Sequence, residues 1–83
     1  MNNFVKDLQK IERSLSEEKG MFNLFALFLR EDAPGKWDVL IAAPWIEKDK
    51  ADALKRVTKE LQKALSKKEL LRISRLVIID QDN

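Results

Sequence analysis

The stretch from Phe22 to Leu29, FNLFALFL, constrains this chain most, because it puts large apolar side chains on both parities of an extended backbone. Phe22, Leu24, Ala26 and Phe28 share one parity, and Phe25, Leu27 and Leu29 share the other. A strand with one wet face alternates apolar and polar residues, whereas a strand buried on both faces does not. The stretch therefore predicts a central strand, covered above and below.

The flanking sequence predicts what surrounds it. Phe4, Leu8, Ile11 and Leu15 recur at the spacing of one helix face, which predicts a first helix over about 3–19. Asn2 or Asn3 is its expected cap and Gly20 its expected stop. Pro34-Gly35 suits the centre of a type II turn, so Trp37 to Ala43 is expected to return as the second strand of a hairpin. Its second parity, Asp38, Leu40 and Ala42, is less apolar, which suggests an edge strand. Pro44 is expected to end it. Asp49 is a plausible cap for a second helix over about 50–65, with Leu54, Val57, Leu61, Ala64 and Leu65 in its buried stripe and Ala51 extending it. Ser66-Lys67-Lys68-Glu69 has the form of a capping box and predicts one more short turn. Residues from Ile73 or Arg75 to Ile79 form a third strand.

The order α-β-β-α-β predicts a two-layer α+β fold, with a three-stranded, mainly antiparallel sheet packed against two helices. A crossover from the second strand to the third could place the third beside the first. That gives strand order 2-1-3 and puts the most apolar strand in the middle. Such a fold leaves one sheet face without a cover. The expected solution is a second copy. A helix crossing to that face is the alternative, and a chain that is part of a longer domain is another. At 83 residues the chain is read as one small domain, 1–83. A domain of this size is short of core, and without Cys or His it has no disulfide and no soft-metal site to help it. Oligomerisation remains, so a homodimer is expected.

Composition narrows the functional classes. There is no His to act as a base near neutral pH and no Cys nucleophile. Two glycines cannot make a Gly-rich phosphate loop. The reading leans away from an enzyme and assigns no catalytic residue, cofactor or metal. Asp80 and Asp82, with Asp49 or Glu47, form the one carboxylate group that could hold a hard cation such as Mg²⁺, although Asp is common in caps and turns. The absence of Cys, of a signal-like apolar core and of a spanning segment suggests a cytoplasmic protein with no membrane partner.

Two surface features remain. Lys55, Lys59, Lys63 and Lys67 are spaced by four on the second helix. Like charges at that spacing weaken a helix slightly, which invites contact with nucleic acid or another polyanion. The bland reading is a solvated face. The lack of aromatics among the lysines argues against stacking on single strands. Trp37 and Trp45 bracket the second strand, and either plug the core or anchor an interface. Trp45, placed in a loop after Pro44, is an interface candidate together with Leu27 and Phe28 of the first strand. Which of the last two faces the helices cannot be read from sequence.

The segment Lys36 to Glu47, KWDVLIAAPWIE, joined to the later LLRISRLVIID, resembles small uncharacterised bacterial proteins. That resemblance implies no activity and transfers no site residue. The element order also looks like part of a ferredoxin-like layout lacking one strand, an analogy that says nothing about function. The resulting expectation is a small non-catalytic interaction or regulatory module acting as a homodimer, with a protein partner. Polyanion binding is the alternative, followed by carboxylate and divalent-cation chemistry.

Overall fold

The computed structural model describes residues 2–80. Helix α1 spans Asn2–Lys19, β1 Leu24–Leu29 and β2 Trp37–Ala42. Helices α2 (Pro44–Lys48), α3 (Lys50–Ala64) and α4 (Lys67–Leu70) follow, and β3 spans Ile73–Ile78. Local signals set most of these limits. Gly20 takes φ 125°, the region a side chain disfavours, and its N–H reaches the Ser16 carbonyl at 2.9 Å as α1 ends. Gly35 at φ 77° and the Lys36 N–H on the Ala33 carbonyl close the expected turn. Asp49 caps α3 by accepting from Asp52 N–H at 3.1 Å, and Ser66 and Glu69 complete the capping box of α4. Helix α1 already includes Asn2 and Asn3, so neither is the cap expected of it.

One segment behaves differently from its sequence reading. Pro44 does end β2, but it also opens α2 as its first residue. A missing N–H costs nothing in a first helical turn, where that donor has no partner anyway. Trp45 is therefore helical and not in a loop.

The sheet is mixed and its order is β1-β2-β3, which corrects the expected 2-1-3 order and the mainly antiparallel sheet. β1 pairs antiparallel with β2, and β2 pairs parallel with β3. The central strand is β2, and β1 is an edge. Asp38 explains part of the misreading. It looked like the mark of an exposed strand, but it is only 4% exposed and sits opposite Arg75 of β3. A buried carboxylate needs cationic partners, and β3 beside β2 supplies one. The register of that pair shifts between Trp37 and Asp38, leaving Ser74 as an extra residue in β3.

The core lies on one parity of the sheet. Phe4, Leu8, Ile11 and Leu15 of α1, Val39 and Ile41 of β2, Ile46 of α2 and Ala53, Val57 and Leu61 of α3 belong to one buried cluster. Phe25 and Leu27 of β1 and Leu76 and Ile78 of β3 pack against it. Leu24, Ala26, Phe28, Leu40 and Val77 lie on the other parity and outside that cluster. This second parity is called the open face below.

Candidate functional site

The open face is built from the even positions of β1 and β2 and from Arg75 and Val77 of β3, with Ile73 on the core parity before the register shift. Leu24, Ala26 and Phe28 stand opposite Ala42, Leu40 and Asp38, and Leu40 and Asp38 stand opposite Val77 and Arg75. The result is an apolar platform with one carboxylate set into it. Phe28 is 58% exposed and Ile79 is 38% exposed.

Asp38 is held from both sides. Arg30 Nη1 lies 3.4 Å from each of its oxygens, and Arg75 Nε donates to Oδ2 at 3.2 Å. Arg30 also grips Asp32 in a two-pronged contact, at 3.1 and 2.9 Å. The hydrogen bonds to Asp32 and then to Asp38 raise the pKa of Arg30, and the same guanidinium lowers that of Asp32. The Arg75 side chain stays 64% exposed, with only its Nε engaged by Asp38. Phe28, Arg30, Glu31, Asp32, Asp38 and Arg75 line a shallow depression of about 420 Å³. Two carboxylates answer two guanidiniums here, and the open end of Arg75 faces solvent. Such a group can orient a polar partner over an apolar surface.

The expected site residues are spread over several places. Phe28 is on the open face, while Leu27 points to the core parity and is half-buried. Trp45 is already engaged: its Nε1–H donates to the Gly20 carbonyl at 3.0 Å, and its ring meets Phe22 edge-on at 5.5 Å. It pins the turn after α1 to α2. Trp37 is half-buried against the same core.

Lys55, Lys59 and Lys63 lie on α3 and are exposed. At 100° per residue they point away from the buried stripe of Ala53, Val57 and Leu61. Lys67 is exposed too, but it belongs to α4, so one helix carries only part of the column. Arg56, beside the column, is taken by Glu18 at 2.5 Å and Glu60 at 2.6 Å. Its hydrogen bonds hold the Glu18 carboxyl below its ordinary value.

The carboxylate group considered for Mg²⁺ converges on a lysine. Lys50 Nζ is 2.5 Å from Asp80 and 3.7 Å from Glu47. The hydrogen bond to Asp80 is the first cause of a raised Lys50 pKa, and the ammonium lies between the two carboxylates. Asp49 is committed to its cap, and Asp82 lies outside the described residues. The described residues hold no group of three metal-ligating side chains.

The Arg30–Asp38–Arg75 cluster was missed by the sequence reading. Its signal was present: a lone acid in one apolar strand and a lone arginine in another. Comparison with family models, curated proteins and solved structures finds no match to this chain. Among the described residues no helix is long and apolar enough to cross a membrane.

Proposed function

We propose that the protein is a small non-catalytic interaction module that acts as a homodimer, with β1 as the strand at which the copies meet. The observation that carries this reading is the position of Phe28, 58% exposed beside Leu24, Leu40 and Val77 on a face outside the core cluster. Large apolar groups gathered on one surface of so small a chain favour association over solvation. The Arg30–Asp38–Arg75 cluster supports the same reading, because a fixed set of charges beside an apolar surface favours one orientation of a partner over others.

Light scattering on a sizing column tests it. The expected mass is twice the 9.7 kDa of the chain, falling to that of one chain in Phe28→Lys with the far-UV spectrum unchanged. A wild-type protein that stays monomeric at millimolar concentration would remove the reading.

A further inference from the structure

The two edges of the sheet are finished differently. β3, ISRLVI, has Arg75 and Ser74 in the strand and a register shift against β2. A charge and a bulge are two of the devices that keep an edge from pairing with another chain. β1, LFALFL, has no charge and no proline over its length. Its composition is that of a central strand, yet β2 is its sole sheet neighbour among the described residues.

Ladder geometry says which atoms the edge presents. Arg30 N–H donates to the Lys36 carbonyl, so Arg30 and Lys36 form a hydrogen-bonded pair. Such pairs alternate along an antiparallel ladder. With the observed register, Phe28, Ala26 and Leu24 therefore turn their backbone groups toward β2. Phe25, Leu27 and Leu29 turn their N–H and C=O groups outward, away from β2, where the described residues place no further strand.

We propose that two copies join edge to edge through β1, antiparallel, with Leu27 on the two-fold axis, to make one continuous six-stranded sheet. This rests on the homodimer reading above and names its interface. The outward residues must form the hydrogen-bonded pairs. A register centred on Leu27 satisfies all of them at once: Phe25 with Leu29 of the second copy, Leu27 with its own equivalent, and Leu29 with Phe25. The intervening pair sets Ala26 against Phe28 of the second copy, a small residue against a large one.

The side chains fit this register. Phe28 and Leu29, the two exposed residues of β1 at 58% and 50%, each gain a cross-strand neighbour. Beside the edge runs a groove of about 220 Å³, lined by Val5, Leu8, Gln9 and Glu12 of α1 and by Phe25 to Leu27. That flank of α1 has one charge among its lining residues, and Val5 in it is 41% exposed. In a continuous sheet both copies turn their core parity the same way, so the two α1 flanks border the seam together. An edge of six residues is about 20 Å long. This places the contact among small interfaces, so the dimer should dissociate on dilution.

Sedimentation over a concentration series tests the proposal with two variants. Leu29→Pro removes one outward N–H from each copy and leaves the bonds to β2 intact. It should weaken the dimer about tenfold or more. Val77→Lys charges the open face on the far strand and should leave the dimer as it is. Should Leu29→Pro fail to fold, Leu27→Cys serves instead. The chain has no cysteine of its own, and residues facing each other on the axis are within disulfide reach. Oxidation by diamide should then convert the dimer to a covalent one. If Val77→Lys dissolves the dimer, Leu29→Pro spares it and Leu27→Cys does not cross-link, the copies meet through the open face. The edge proposal then falls and the homodimer reading stands. A monomeric wild type overturns both.

Discussion

β1 and β2 are neighbours of equal length, and their burial runs opposite to their sequences. β1 is wholly apolar and ends with two exposed residues, while β2 contains Asp38 and is buried at four of its six positions. Apolarity on both parities marks a strand that needs neighbours. It does not say whether the same chain supplies them. β2 lies between two partners: a tight turn leads into it from β1, its antiparallel neighbour, and a helical crossover leads from it to β3, its parallel one. Its one charge is tolerated because two arginines reach it.

The comparison can be broken most sharply by truncation. Ile41→Ala in β2 removes a side chain with no exposure and should cost about 3–4 kcal/mol in chemical denaturation. Leu29→Ala in β1, half-exposed, should cost under about 1 kcal/mol for the monomer. Equal costs would mean that β1 is as buried as its composition suggests.

The next largest effect concerns the charge in β2. Replacing both Arg30 and Arg75 by Ala strands Asp38 without its partners and should cost about 2–3 kcal/mol, below the cost in a deep core because the open face admits water. Asp38→Asn should cost less, since Arg75 reaches solvent and Arg30 keeps Asp32. Urea unfolding at neutral pH gives both values. If the asparagine variant proves the weaker of the two, the arginines, and not the acid, are what the central strand must satisfy.

Acid gives the smallest effect. Arg30 holds Asp32 below its ordinary 3.8, so this pair stabilises the fold fully above that value. The contribution is lost as pH falls through the depressed folded value. Glu18, lowered by Arg56, and Glu69, lowered by the Ser66 N–H, act in the same sense. Asp7 acts in the opposite sense: its hydrogen bond with Glu69 raises it, so its cost is present at neutral pH and fades on acidification. The melting temperature should therefore decline below about pH 4. Asp32→Asn should shrink that decline slightly, and a decline of unchanged size would show that the β1–β2 turn contributes nothing to it.

What could be read in the sequence was what short segments decide for themselves. Gly20, Pro34-Gly35, Asp49 and Ser66 with Glu69 act within a few residues, and each falls where its chemistry puts it. Strand order was not local. It shows in pairings such as that of Asp38 with Arg75, which lies 37 residues further on. Pro44 was read as a stop, which it is, but the same ring geometry that ends a strand can begin a helix, and α2 was lost. Phe22 to Leu29 reads as a strand covered on both faces, whereas β1 is an edge strand with Phe28 and Leu29 exposed. The parity to which Leu27 and Phe28 belong needed the register of the sheet, and the charge cluster needed the third strand in place.

The parallel pairing of β3 also sets how much chain each contact must close. The hairpin joins residues such as Leu27 and Val39, whereas Val39 and Leu76 must meet across a loop about three times longer. Closing that longer loop costs about 1 kcal/mol more in chain entropy. The hairpin is therefore expected to form before β3 docks, and β3 to detach first on opening. Detachment of β3 uncovers the flank of the central strand and frees Asp38 from Arg75 in one step. The amides that tie β3 to β2, Trp37 N–H to the Arg72 carbonyl and Ile79 N–H to that of Ile41, report that opening by their exchange with solvent.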